Sequence, residues 1–377
     1  MTADVLIVGG GVAGTSLAIL LGRQGIAVEL FESRHFPREK ACGEGIMPAG
    51  VAVLERLGVA GAVGGMPFHG VRYHIGEETA EGRFPSNTGL PTAGLGQRRR
   101  HLDQVLFEAA AATREVTVHT DSPVEGLHYE NGRVAGVWVK GKIHRAALVV
   151  AADGARSLIR HQLGLNMCHR RKRFGVRAHF KLAPNREQPP WVEVFVGCGY
   201  ELYVTPLPES EVLVAVLADA RKLHAPLEHE FQRWRNSHGA LAARLEGAKE
   251  TSEPLSAAPL ASGARAGVAP GVVLLGDAAG AIDPITGGGI TQALQTAELL
   301  AAHASKKLGT DEEWLFEFDK QRSALLRDYA ILTRIVLWLV DHPQISHWAL
   351  TNLNGFPALF SHLIGVAGGV KRLWRSG

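Results

Sequence analysis

Residues 5–14 read Val-Leu-Ile-Val-Gly-Gly-Gly-Val-Ala-Gly, and that run narrows the folds open to this chain more than any other stretch. Residues 5–8 are apolar, mostly β-branched and uncharged, the pattern of a strand buried on both faces. Gly9, Gly11 and Gly14 follow at G-x-G-x-x-G spacing. Small and apolar residues at helical spacing then occupy 15–24, and Gly25 closes the helix. A second strand, 27–31, ends in Glu32, which lies 18 residues after Gly14. The three glycines allow, in turn, a tight turn, a close backbone approach to pyrophosphate and close helix–strand packing. The helix start offers free N–H groups to phosphate, and the acid at the strand end accepts from a ribose. Strand, helix, second strand and acid together predict a dinucleotide site.

Composition sets outer limits. The 377 residues are 46% hydrophobic and 20% charged, enough for a large core and two domains. A net charge of +3 gives no nucleic-acid signature. Basic residues cluster at 98–100 and 169–173, as solvated faces or as attraction for an anionic cofactor or substrate. Cys42, Cys168 and Cys198 form no metal-ligand spacing and no even disulfide set, so no metal and a reducing, cytoplasmic setting are expected. The N-terminus enters the first strand with no signal peptide. The apolar stretch 329–340 is interrupted by Arg334 and is too short to span a bilayer.

Farther along, periodicity predicts helices at 49–57 and 99–112, and strands at 116–119, 122–128, 134–139 and 147–152. Asn131-Gly132 is a hairpin turn signal. Strands at 174–180, 191–196, 200–205 and 211–217 follow in succession, which predicts an antiparallel layer separate from the opening α/β unit. Helices at 227–235 and 241–245 should lie on it. A buried strand at 271–275 leads into a long helix at 288–302, and 312–374 is helical and aromatic-rich.

Three further segments suit one long, extended dinucleotide. Asp153-Gly154 ends a strand, and Ser157 and Arg160 complete D-G-x-x-S-x-x-R, where they can brace the turn. Gly276-Asp277 ends another strand, and its carboxylate can accept from a polyol such as a flavin ribityl chain. Residues 283–290, Asp-Pro-Ile-Thr-Gly-Gly-Gly-Ile, open the long helix, so the Gly288 and Gly289 N–H groups point at whatever lies beyond it. Arg99 begins its helix within reach of a pyrophosphate or ribose, with Arg98 as competitor.

These segments, in this order, resemble the aromatic-hydroxylase class of FAD-dependent flavoproteins, which includes monooxygenases, geranylgeranyl reductases and flavin halogenases. The resemblance spans about residues 1–305. It implies an α/β fold: a Rossmann-like FAD-binding domain, an inserted, mostly antiparallel β-sheet substrate domain and a helical C-terminus. The expected bounds are 1–68, 96–168 and 264–308 for FAD, 69–95 and 169–263 for substrate, and 309–377 for the C-terminal helices. By the resemblance, FAD contacts fall at Gly9, Gly11, Val12, Ala13, Gly14, Glu32, Ser33, Arg34, Cys42, Gly43, Arg99, Val124, Asp153, Gly154, Gly276, Asp277, Pro284, Gly287, Gly288, Gly289 and Ile290. Glu32 then binds the adenosine ribose, Asp277 the ribityl chain, and the Gly288 and Gly289 amides face the flavin N1–O2 edge.

Residues 42–45 and 284–290 are most similar to the geranylgeranyl-reductase branch. That branch carries Tyr-x-Trp-x-Phe-Pro where this chain has Tyr200-Glu-Leu-Tyr-Val-Thr-Pro206. The halogenase Trp-x-Trp-x-Ile-Pro stretch and catalytic lysine are not evident, so halogenation ranks last. No second G-x-G-x-x-G is present, so NAD(P)H is expected only as a transient reductant. Candidate catalytic residues are His179, Tyr203 and Cys42. Glu193, Phe195, Tyr203, Thr205 and Ile285 are the candidate substrate pocket.

The expected activity is an NAD(P)H-dependent monooxygenase acting on an apolar or aromatic small molecule through a flavin C4a-hydroperoxide. The alternatives are a prenyl or enone reductase and a non-catalytic electron carrier or maturation partner. The C-terminal helices can cover the protein, dock a partner or touch a membrane.

Overall fold

The computed structural model describes residues 3–167, 172–309 and 311–374. Cys168 and residues 169–171 of the second basic cluster lie outside the described residues.

The opening run forms the strand Val5–Val8 at the centre of a six-stranded sheet. Its neighbours, Val28–Phe31 and Leu148–Ala151, are parallel to it. Val116–His119 and Val272–Leu274 extend the parallel sheet on either side, and Val268–Ala269 closes one edge antiparallel. Val5 and Ile7 pack against the helices of one face, while Leu6 and Val8 pack toward the other. A strand apolar at every position is therefore apolar because both its faces are covered. On that second face sits a three-stranded antiparallel sheet whose hairpin turns at Asn131 and Gly132, both at positive φ (50° and 80°). That is the turn expected of Asn-Gly.

A second large sheet has the order Lys249–Glu250, Arg173–Lys181, Glu211–Asp219, Tyr200–Leu207, Val192–Val196, Gly70–Ile75 and Glu78–Arg83. It is antiparallel except where Val192–Val196 runs parallel to Gly70–Ile75. The four successive strands read from the sequence are its core. The two faces differ in what covers them. Phe174, Val176, Ala178, Phe180, Leu202 and Val204 point to one side, where Phe231, Trp234 and Leu241 of the helices Leu227–Asn236 and Gly239–Arg244 cover them. His179, Tyr203 and Thr205 have the opposite parity and face the nucleotide-type sheet.

Register also corrects the sequence-based pocket. Glu193 pairs with Val204 and Phe195 with Leu202, so both share the helix-covered face. Of the candidate pocket residues on that strand pair, only Tyr203 and Thr205 turn inward. The sequence reading grouped residues from neighbouring strands without their register, and a shift of one residue exchanges the faces. Glu193 is instead buried among Arg72, His74 and Arg244.

The C-terminal segment forms the helices Glu313–Val340, Pro343–Gly355 and Pro357–Ala367. Leu350, Phe360 and Ile364 pack onto Phe68, Val71, Val192 and Val194 on the inward side of the sheet. No described helix is long and apolar enough to cross a membrane.

Candidate functional site

The glycines at the end of the first strand are required by contact, not only by turn preference. Gly9 has φ 107°, and a Cβ there would lie 2.4 Å from the Ala152 carbonyl oxygen. A Cβ on Gly14 would lie 2.0 Å from the Gly9 oxygen, so the helix Val12–Arg23 sits directly on the strand end. Gly11 differs: its Cβ would meet only the Arg38 guanidinium, at 3.6 Å. Space is open above Gly11, where the resemblance places a pyrophosphate.

Glu32 closes one end of this cradle. Its carboxylate accepts from the Gly10 N–H at 2.9 Å and the Arg34 N–H at 3.0 Å, with Ser33 Oγ at 3.2 Å. The Ser122 N–H donates to the Glu32 carbonyl, which brings the start of the strand Val124–Glu130 beside the same strand end. Arg38 reaches between Glu32 (3.7 Å) and Asp103 (3.5 Å) and so stands over Gly11. The sequence reading gave Arg38 no role. Arg99 forms a bidentate pair with Asp103 (2.8 and 2.9 Å) beside the Cys42 sulfur. Burial alone would lower its pKa, but Asp103 and then Cys42 outweigh burial and raise it. Arg98 points elsewhere: it pairs with Glu211 of the large sheet, with Nε 2.6 Å from the carboxylate.

Asp153 caps the helix Leu158–Gln162, accepting from Leu158 N–H at 2.8 Å and Ile159 N–H at 3.3 Å. Its other oxygen is buried with no partner among the described residues. Burial pushes the carboxyl upward despite Ser157 and those N–H groups. An orphaned buried acceptor carries a desolvation cost, which a donor from a bound molecule relieves. Arg160 does more than brace its own turn. It donates to Ala155 O at 2.5 Å, and across the sheet to Asp277 O at 3.2 Å and Ala278 O at 3.0 Å. One guanidinium thus sets the Asp153 turn and the Gly276–Asp277 turn at a fixed separation. The Asp277 carboxylate is partly exposed, 3.5 Å from Lys40 Nζ.

The turn Pro284–Thr286 leads through Gly287, at φ 71°, into the helix Gly289–Lys307. The Gly288 and Gly289 N–H groups have no acceptor among the described residues. They are the unpaired donors of a long helix, carrying its partial positive charge.

The inward face of the large sheet is tied to two of these segments. Thr205 Oγ1 donates to Gly43 O at 2.8 Å, and the Tyr203 hydroxyl donates to Ile285 O at 2.7 Å. Arg173 reaches Asp283 at 3.2 Å and also pairs with Glu201. His179 and Glu44, each wholly buried, meet at 2.7 Å. The other His179 nitrogen lies 2.8 Å from Ser252 Oγ. Glu44 also accepts from the Arg99 N–H at 3.0 Å, and its own N–H lies 3.3 Å from Cys42 Sγ. Both imidazole nitrogens are therefore engaged, and the Tyr203 proton is committed to a carbonyl. Cys42 is half-buried and Cys198 exposed. Glu44 and Ser252 were missed in the sequence because isolated polar residues in loops carry no period.

A family model described as FAD binding domain matches residues 2–328. The chain belongs to that FAD-binding family. It is 32% identical over 319 residues to menaquinone reductase of Mycolicibacterium smegmatis, covering 79% of this chain and 75% of that protein. It is 30% identical over 320 residues to squalene monooxygenase of Mus musculus, covering 78% and 54%. Among solved structures, a flavoprotein/dehydrogenase of Cytophaga hutchinsonii superposes with a TM-score of 0.87 at 20% identity, covering 98% of this chain and 93% of that one. The protein is an FAD-dependent oxidoreductase.

The residues present fit FAD on their own chemistry. An open glycine face, an orphaned buried Asp153 oxygen and two free helix N–H groups offer acceptors and donors where an extended dinucleotide has the opposite needs.

Proposed function

We propose that this flavoprotein reduces a carbon–carbon double bond in a lipophilic, isoprenoid-like molecule. The observation that carries the reading is the apolar packing around Tyr203, whose hydroxyl reaches the Ile285 turn. Met47, Phe68, Val71, Tyr73, Val192, Val194 and Phe360 form one apolar cluster there, with Tyr203 packed against it. The groups suited to activating a phenol are engaged elsewhere: His179 holds Glu44 and Ser252, and Tyr203 holds Ile285 O. Apolar surroundings of this kind favour an aliphatic chain over a phenol. Similarity to a protein named menaquinone reductase supports the same direction.

When bound, FAD supplies the electrons. In this reading Glu32 would hold the adenosine ribose, Asp277 would accept from the ribityl chain, and the Asp153 turn would lie near the pyrophosphate with its free oxygen accepting from a cofactor hydroxyl. The Gly288 and Gly289 amides would offer their donors to the pyrimidine edge. Arg160 keeps the two aspartate turns in register, and Tyr203 fixes the Pro284–Thr286 turn against the sheet. The apolar packing excludes water.

Oxygen insertion into the same class of molecule is the second reading, on the similarity to squalene monooxygenase. The test is an anaerobic incubation of FAD-loaded protein with NADH or NADPH and a panel of prenyl lipids, quinones and phenols, followed by mass analysis. Product with two added hydrogens supports reduction. Product that appears only in air and carries one added oxygen atom supports the monooxygenase. NAD(P)H oxidation stimulated by phenols alone would overturn the lipophilic assignment. Turnover only after a partner protein is added would mark an electron carrier.

A further inference from the structure

The three C-terminal helices present two unlike sides. Inward, Leu350, Phe360 and Ile364 bury themselves against the large sheet. On or next to the same helices, Trp338, Trp348, Phe356 and Trp374 stand 49%, 66%, 62% and 69% exposed. Ile345 and Trp348 are three residues apart on one helix and so share a side, and both are exposed. Single exposed apolar residues need no explanation, but this many large ones within one segment do. Charge beyond Asp328 is weakly positive, with Arg372 lying 3.8 Å from the Asp328 carboxylate. Residues 329–374 contain a single acid, Asp341, against Arg334, Lys371 and Arg372 and three histidines.

We propose that this face docks on the surface of an anionic lipid bilayer. Indole rings favour the headgroup level, where an apolar body and a polar N–H are both satisfied. Lysine and arginine beside them add attraction to anionic lipids. Because no described helix can cross, the contact is interfacial. A second copy of the chain is the poorer occupant, since pairing two such faces sets like charges against each other. The inward sides of the same helices belong to the apolar cluster beside Tyr203. A lipophilic molecule leaving the bilayer would therefore meet apolar side chains toward the site. That last point rests on the proposed substrate class; the docking itself does not.

The experiment is flotation of the full-length, FAD-loaded protein with phosphatidylcholine vesicles and with vesicles that also contain phosphatidylglycerol. The protein should float with the anionic vesicles, less with the neutral ones, and less at high salt. The double variant Trp348→Ser/Phe356→Ser should keep its yellow colour and melting temperature. It should lose about tenfold or more in vesicle affinity, as expected for withdrawing large aromatic side chains from an apolar phase. Protein that stays at the bottom with anionic vesicles overturns the docking, as does a double variant that floats like the parent. A dimer seen by light scattering and abolished by the same variant, without flotation, would assign the face to self-association. Failure to float with double-bond reduction intact removes only the docking, and flotation without reduction removes only the substrate reading.

Discussion

The Tyr203 hydroxyl donates a 2.7 Å hydrogen bond to the carbonyl of Ile285, 82 residues away, and so pins the inserted sheet to the turn that opens the long helix. Burial, and secondarily Glu201, keeps the phenol protonated by pushing its pKa well above the ordinary value. It is therefore a constant donor across the working pH range. Tyr203→Phe keeps the ring and removes the donor, leaving a buried carbonyl short of a partner. The expected loss is about 1–2 kcal/mol, measured by urea unfolding. Phe at this position should also weaken FAD binding, read by flavin fluorescence. A variant that matches the parent in both would show that the contact positions nothing.

Arg160 offers a sharper test, because its donors reach carbonyls from two turns that are far apart in sequence. Arg160→Met preserves much of the stem and removes every donor. With several charge-assisted bonds lost together, about 3 kcal/mol of stability and a tenfold or greater weakening of FAD binding are expected. Arg160→Lys keeps the charge but lacks the planar fork, so it should recover only part of the affinity. Isothermal titration of the FAD-free variants with FAD decides between these outcomes.

Much of this was legible in the chain, for a physical reason. Gly9, Gly14, Asp153, Gly276 and the 284–290 segment are turns whose local geometry demands particular residues, so their types carry the geometry with them. The hairpin at Asn131-Gly132 and the helix Arg99–Ala111 were equally local. What failed to show was pairing between distant segments. Glu193 and Phe195 were placed with Tyr203 and Thr205 because parity across strands depends on register, which one strand does not encode. Arg98 and Arg99 are adjacent, yet one meets the sheet and the other Asp103. Arg38, Glu44 and Ser252 became visible only when three loops met. The signal that existed was the charge of the 33–44 loop, where Arg38, Glu39, Lys40 and Glu44 each find a partner from another segment.

The outer side of the large sheet carries a pH-dependent feature unrelated to FAD. His74 stacks on Phe195 at 4.3 Å, and its pKa is lowered to about 4, first by burial and then by Arg72 and Arg244. The unfolded chain holds this histidine near its ordinary value of about 6.5. Between those values the unfolded state binds the extra proton, so stability falls as pH drops from about 6.5 toward 4. The full shift caps the effect at about 3 kcal/mol, and solvent screening at this partly buried site reduces it to about 1–2 kcal/mol. Urea midpoints at pH 7 and pH 5 should therefore differ more for the parent than for His74→Asn. Equal pH dependence in the two proteins would place the acid sensitivity elsewhere.

Gly11 and Gly14 separate the fold from its cofactor. At Gly14 a methyl group would sit 2.0 Å from the Gly9 carbonyl oxygen, with rigid backbone on both sides. Gly14→Ala should give little or no folded protein, seen as loss of the cooperative transition in circular dichroism. Gly11 has extended backbone angles that alanine adopts freely, and the added methyl meets only the movable end of Arg38. Gly11→Ala should therefore fold with a melting temperature within a few degrees of the FAD-free parent. It should nevertheless purify nearly colourless, because the methyl occupies the space through which the backbone meets the pyrophosphate. If Gly11→Ala binds FAD as tightly as the parent, the phosphates lie somewhere other than above this turn, and the assignment of the glycine cradle fails with the fold intact.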